Sequence, residues 1–190
     1  MDFEKLAPAR RTIRRFKQQI ISDAELRHLI DMARYASCAV NKQPLNYVVV
    51  KERELVEKIF AGTAWGGLVS PRRNPVWGES APLCFIAVTV PENSGTGVLA
   101  DAGAAIQMLE LAAWEKGIGC CWLGSFQPQT VKELLELDDD RKVLYLIAVG
   151  YPAESPVGED AHDGKTAYYL DDNDILHVPK RPVDEITFWK

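Results

Sequence analysis

Residues 83–90 run Leu-Cys-Phe-Ile-Ala-Val-Thr-Val, with Thr89 the one polar side chain among them. A strand exposed on one face alternates apolar and polar residues, so an unbroken run of this length reads as a strand buried on both faces. Such a strand needs a covering layer on each side of its sheet. Tyr47-Val48-Val49-Val50 is a second strand, rich in β-branched residues, and residues 120–123 and 143–149 make two more. The covering helices are also legible. Ser22-Asp23-Ala24-Glu25 is a capping box, followed by Leu26, Leu29, Ile30 and Ala33 at amphipathic helical spacing. A short helix is predicted over residues 53–60 and a long one over about 98–116, with Ala102, Ile106, Leu109 and Ala113 on its apolar face. Gly117-Ile118-Gly119 ends the long helix, and Pro128 opens another where a missing amide costs nothing. The small residues Gly103, Ala104, Ala105 and Ala112 suit the long helix either to a central core position or to a dimer interface. The fold class is α+β.

A chain of 190 residues, 47% hydrophobic and 26% charged, buries one sizeable core. We read one domain over residues 1–190. Beyond Pro152 little periodicity remains, so residues from about 153 to 190 form a C-terminal arm that frays or wraps over another subunit. The formal net charge of -5 weighs against nucleic acid and anionic membranes as partners, since both reward a basic surface. Residues 1–17 are charged and hold no apolar targeting core, and no apolar run is long enough to span a bilayer. A cytoplasmic protein is the expectation. Cys38, Cys84, Cys120 and Cys121 follow neither zinc nor C-x-x-C spacing, and the adjacent pair points to opposite faces of its strand. They read as free thiols of a reducing compartment, and no metal site is expected.

Several segments could carry chemistry. Arg10-Arg11-Thr12-Ile13-Arg14-Arg15-Phe16 packs four guanidinium groups into seven residues. Guanidinium matches phosphate oxygens and keeps its charge, although a charge run of this kind also suits a solvated face. Asn41-Lys42-Gln43-Pro44 offers amide side chains that donate and accept, as the edge of a heterocycle requires, or else forms a plain turn. Trp122-Leu123-Gly124-Ser125 ends a strand, where Gly124 lets a flat ring approach the backbone, or again forms a turn. Residues 62–82 mix glycine and proline with Trp65 and Trp77. They read as a mobile loop or broken helices lining a substrate pocket, or as an excursion whose tryptophans patch the core. The three histidines are scattered and receive no role.

Taken in order, these segments resemble the nitroreductase family. The resemblance starts with Arg10-Arg11-Thr12-x-Arg14-x-Phe16, the amphipathic helix and Asn41-x-Gln43-Pro44 before a valine strand. It continues through Asp101-x-Gly103, Gly117-Ile118-Gly119, Trp122-Leu123-Gly124-Ser125-Phe126 and Ala148-Val149-Gly150-Tyr151-Pro152 to Pro179-Lys180-Arg181-Pro182. It implies a mixed, mainly antiparallel central sheet flanked by helices, in an intertwined homodimer with FMN at the interface. By position, Arg10, Arg11, Thr12 and Arg14 hold the phosphate and ribityl chain, and Lys180 and Arg181 close over the phosphate. Asn41 and Gln43 address the polar edge of the flavin, with Cys38 nearby. Leu123, Gly124 and Ser125 lie along the ring, with a backbone amide facing N5.

The implied activity is hydride transfer from NADH or NADPH through flavin N5 to a small organic acceptor such as a nitroaromatic or a quinone. No side-chain acid or base is required, and positioning supplies the rate. Trp65 and Trp77 are the expected substrate contacts. Two positions depart from the pattern: Ser37-Cys38 stands where Pro-Ser is common, and Gln107-Met108 where Gln-Asn is frequent. A flavin-binding sensor or carrier without turnover is the alternative reading.

Overall fold

The computed structural model describes residues 2–190. Its elements run α1 (Phe3–Ala9), α2 (Asp23–Ala33), a 3-10 turn (Ala39–Asn41), β1 (Asn46–Val50), α3 (Arg53–Ala61), β2 (Cys84–Pro91) and α4 (Val98–Glu115). There follow β3 (Gly119–Leu123), α5 (Pro128–Leu134), β4 (Arg141–Gly150), β5 (Val157–Asp160), β6 (Tyr169–Leu170), β7 (Leu176–Lys180) and α6 (Val183–Ile186). The main sheet has the order β1-β2-β4-β3, with every neighbour antiparallel. Among the described residues its one parallel contact is the bridge between Thr12 and Cys120 at the β3 edge.

β2 is buried from Cys84 through Val90, as its apolar run requires. Its alternate residues feed two cores. Cys84, Ile86 and Val88 pack with Ile147 and Val149 of β4 under Leu29 of α2 and Ile106 and Leu109 of α4. Phe85 and Ala87 pack with Leu146 and Ala148 on the opposite face, under Val56 and Ile59 of α3 and Val131 of α5. Cys120 belongs to the first core and Cys121 to the second, the opposed placement expected of adjacent strand residues. Burial pushes the Cys84 and Cys121 thiols up to about 12, so both stay protonated and behave as small apolar groups.

Local signals act where they were read. The Glu25 amide donates to Ser22 Oγ (3.2 Å) and the Ser22 amide to Glu25 Oε2 (2.9 Å), closing the capping box of α2. Ala102, Ile106, Leu109 and Ala113 of α4 are fully buried. Two features lie outside the sequence reading. α1 holds Pro8 within it and buries Leu6, too short a stripe to stand out. The arm is also more regular than its pattern suggests: β5 pairs parallel with β7, and β6 pairs antiparallel with it. Strands of two to five residues carry too few alternations for a period to show.

Residues 12–16 lie along the sheet edge. Ile13 donates its amide to the Cys120 carbonyl (2.9 Å), Lys17 donates to that of Tyr151 (2.8 Å), and Phe16 bridges Pro152. Ile13 and Phe16 are fully buried. Both sit where the sheet has no side chain: a β-carbon at Gly119 would come within 2.5 Å of Ile13 Cγ1, and one at Gly150 within 2.7 Å of Phe16 Cδ1. Gly119→Ala is therefore expected to cost about 1–3 kcal/mol, the usual range for overpacking. Ile13→Ala in the same chain should recover part of that cost. A double-mutant cycle in denaturant measures the coupling, and additive effects would show that the segment is not seated on Gly119.

Candidate active site

The arginine segment spreads its side chains to different partners. Arg10 Nη1 lies 3.3 Å from Glu110 Oε2 on α4, a carboxylate 5% exposed. Burial raises the Glu110 carboxyl, and the Arg10 charge opposes the rise. Arg11 donates to its neighbour's carbonyl at Arg10 (2.6 Å) and to that of Pro8, and its guanidinium fills the space over Gly158 of β5. Burial, followed by the neighbouring Arg10 charge, lowers the Arg11 pKa. Thr12 sits at the β3 bridge. Arg14 stacks over the Tyr168 ring, 5.2 Å from its centre, and makes no ion pair among the described residues.

Arg10, Arg11 and Lys180 line one open cleft of about 780 Å³, with α1 on one side and Glu159 and Asp160 on another. Lys180 is brought there by β7, whose pairing with β5 sets Asp160 opposite it. Arg11 Nε is buried and finds no hydrogen-bond partner. A cationic donor without an acceptor, on a guanidinium whose charge is already disfavoured, is the local condition that an anion such as a phosphate relieves. Arg181 lies apart, donating to the Glu185 carbonyl (2.5 Å) and pairing with its carboxylate (3.4 Å).

Gly124 and Ser125 follow β3 and are exposed. The Ser125 carbonyl accepts from the Ala64 amide (3.0 Å), while the Gly124 and Ser125 amides have no acceptor among the described residues. Leu123, one residue earlier, is buried. The same loop reaches Arg14, because Gly66 packs on its side chain and the Leu68 amide donates to Tyr168 Oη (3.3 Å).

An ion network missed at the sequence level fixes this junction. Glu154, 1% exposed, accepts from the amides of Arg14 and Arg15 and pairs with Arg73 at 3.0 Å. Arg73, itself buried, also reaches Asp174 (2.8 Å), which meets Arg72 (3.0 Å) and Arg15 (3.6 Å). The pairs lie as many as 140 residues apart in the chain, so no local motif announces them.

The tryptophans pack inward. Trp65 is 6% exposed, donates its indole N–H to Thr63 Oγ1 (2.9 Å) and belongs to the second core. Trp77 is half-buried, 5.6 Å from the Phe60 ring, and borders an apolar groove of about 470 Å³ with Ile20, Leu83 and Cys84.

Asn41 and Gln43 lie elsewhere, at the start of α4. Gln43 Nε2 donates to Asn41 Oδ1 (3.0 Å). Val40, Asn41 and Gln43 have φ of 45°, 53° and 50°, left-handed values that asparagine tolerates and that cost about 1–2 kcal/mol each at Val40 and Gln43. Cys38 opens this loop and touches Asp101 of α4. Asp101 and Glu110 are nine residues apart on one helix, or ~13 Å at 1.5 Å per residue. Within one chain the amide-bearing loop thus sits at the first turn of α4 and the arginine cleft against its second half.

An antiparallel sheet between helical layers, with arginines along its edge and an open backbone at the end of β3, defines the nitroreductase-like α+β class. The chain belongs to the Nitroreductase family, whose sequence model matches residues 7–151. A protein of Archaeoglobus fulgidus, provisionally named NADH dehydrogenase/NAD(P)H nitroreductase, is 26% identical over 166 residues, 84% of this chain and 90% of that one. A structure from Desulfovibrio desulfuricans, provisionally named a nitroreductase and described in complex with FMN, superposes with a TM-score of 0.72 at 24% identity, covering 98% and 95% of the two chains. A point mutant of an FMN and NADPH-dependent nitroreductase from sphigopyxis sp. strain HMH gives 0.76 at 19% identity, covering 100% of this chain and 99% of its own.

The small sheet beside the cleft carries a titratable lock. His177 Nδ1 lies 2.7 Å from Glu159 Oε2 and Nε2 3.5 Å from Asp171 Oδ2, while Tyr169 stacks on the ring and donates to Glu159 (3.0 Å). The bond to Glu159 raises the His177 pKa above its ordinary 6.5, and that same bond holds Glu159 below its usual value. A raised histidine stabilises fully below 6.5 and loses that contribution as pH climbs through the higher folded value. Hydrogen exchange of β5 and β7 should accelerate across that rise, and His177→Gln should flatten the response. An unchanged pH dependence in the variant would assign the effect to other groups.

Proposed function

We propose that the protein is an FMN-dependent oxidoreductase using NADH or NADPH, acting on a small organic acceptor such as a nitroaromatic or quinone. The carrying observation is the exposed Gly124-Ser125 backbone, its amides without an acceptor among the described residues, tied to Arg14 through residues 64–66 of the neighbouring loop in a Nitroreductase family chain. The relatives' names support the cofactor and the reductant, since one solved neighbour is described with FMN and another as dependent on FMN and NADPH.

Bound FMN would supply the hydride-transfer chemistry that links the nicotinamide to the acceptor. The chain's own groups bind and orient. Arg10, Arg11, Thr12 and Arg14 hold the phosphate and ribityl chain, and Lys180 adds charge from β7, with Arg181 following it. The buried, partnerless Arg11 Nε fits an anion there. Leu123, Gly124 and Ser125 would lie along the ring, with the Gly124 and Ser125 amides as preorganised donors where negative charge develops. Asn41 and Gln43 donate and accept at the polar edge, near Cys38. Trp77 forms a wall of the acceptor pocket, and Trp65 supports it through Phe60.

We infer a homodimer in which each site draws on both chains, a reading in keeping with the exposed apolar side chains of the arm. Exposed Val183, Ile186, Phe188 and Trp189 support the reading of residues from about 153 to 190 as an arm of a single 1–190 domain, with apolar surface to cover. Among the described residues no helix is long and apolar enough to cross a membrane. The four free cysteines fit a cytoplasmic setting.

The test is the visible spectrum of the purified protein, identification of the released chromophore, and NADH or NADPH oxidation with a quinone or nitroaromatic present. FMN with turnover is expected. Bound FMN without turnover would make the protein a carrier or sensor, and failure to take up FMN would overturn the proposal. Arg14→Ala should weaken FMN about 10- to 100-fold, the loss of a charge-assisted hydrogen bond. Equilibrium titration measures it, and an unaltered Kd would remove Arg14 from the phosphate site.

A further inference from the structure

The loop carrying Asn41 and Gln43 is tied to α4 by one carboxylate. Asp101 sits in the first turn of α4 and is 9% exposed. Its Oδ1 accepts from the Ala39 amide (2.9 Å), and its Oδ2 accepts from the Cys38 thiol (3.4 Å). The Cys38 sulfur in turn accepts from the Gln43 amide (3.2 Å). A single chain of contacts therefore runs from α4 through Cys38 to the residue after Lys42, closing the loop at both ends.

The loop needs such a closure. Val40, Asn41 and Gln43 are all left-handed without being glycine, and Val40 is 87% exposed, so packing does not hold it. A strained backbone persists only when its surroundings overdetermine it. Here the surroundings are the Asp101 carboxylate, the thiol, the Asn41–Gln43 side-chain bond and the turn's own backbone bonds, from the Asn41 amide to the Cys38 carbonyl (3.0 Å) and from the Lys42 amide to the Ala39 carbonyl (3.1 Å). A cavity of about 140 Å³ bordered by Ser37, Cys38, Gln43, Tyr47 and Asp101 leaves the loop room to relax if the clamp is lost.

We propose that Asp101 is the positioning residue of the flavin-edge loop, fixing Asn41 and Gln43 through the Ala39 amide and the Cys38 thiol. The proposal rests on the FMN reading for its consequence, and on the geometry alone for the clamp. Cys38 gains a specific duty in it, as the relay that joins the carboxylate to the Gln43 amide. A serine there keeps both a donor for Asp101 and an acceptor for Gln43, whereas alanine keeps neither.

The experiment compares wild type with Asp101→Ala, Asp101→Asn, Cys38→Ala and Cys38→Ser. Amide exchange in flavin-free protein reads the clamp directly. Asp101→Ala should speed exchange at Ala39 and Gln43 while the rest of α4 stays protected, and Asp101→Asn, which keeps one acceptor, should do so less. In flavin-loaded protein, Asp101→Ala should weaken FMN about ten- to a hundredfold and shift both the visible bands and the midpoint potential of the flavin that remains. Cys38→Ala should move the same readouts in the same direction, and Cys38→Ser should restore them.

Unchanged exchange in Asp101→Ala would overturn the clamp, whatever the cofactor. Faster exchange with unchanged Kd, spectrum and potential would overturn the positioning role while leaving the FMN reading intact. A wild-type protein that takes up no FMN would overturn that reading and the positioning role together, with the exchange result still deciding the clamp. If Asp101→Ala does not fold, Asp101→Asn and the Cys38 pair decide the same outcomes.

Discussion

The seating of residues 12–16 on the edge of the main sheet is the interaction on which the rest of the site depends. Ile13 and Phe16 are buried completely because Gly119 and Gly150 present bare backbone where they land. That burial anchors the segment at two points, with Arg14 and Arg15 carried between them. The Glu154 carboxylate then takes the amides of Arg14 and Arg15, so a buried charge is satisfied by the same segment it anchors. A buried carboxylate without those donors and Arg73 would be costly, and the arm and the 62–82 loop are thereby tied to the arginines.

α4 acts as the spacer of the molecule. Its apolar face is consumed by the first core, and its two buried acids look outward from that face to opposite ends. Glu110 meets Arg10, and Asp101 meets the Cys38–Gln43 loop. The rigid rise of the helix keeps these apart, and a rigid spacer cannot be bent to bring them together within one chain.

Much of the framework was legible because it rests on local rules. The buried run ending at Val90, the Ser22–Glu25 box, the stripe of α4 and the opposed cysteines each follow from spacing within a few residues. The arginine segment and the exposed turn at Gly124 were legible as candidates, and the shared order of motifs joined them. What escaped was non-local. Glu154 and Arg73 have no pattern in sequence, since a salt bridge depends on where two distant segments meet. α1 and the arm strands were too short for periodicity, and the left-handed backbone of Val40 and Gln43 contradicts what their side chains prefer.

The sequence by itself determined a four-stranded sheet with a helical layer on either face and a cluster of guanidinium groups beside it, because hydrophobic period and charge are properties of neighbours. Only the tertiary structure decided how those arginines divide. Arg10 is neutralised by Glu110, Arg11 is left with a buried partnerless nitrogen, and Arg14 is stacked on Tyr168. It also decided that Trp65 packs in the core and that Asp101 holds the strained loop. These outcomes depend on burial and on the partner each charge finds in space, and neither exists until the chain has folded.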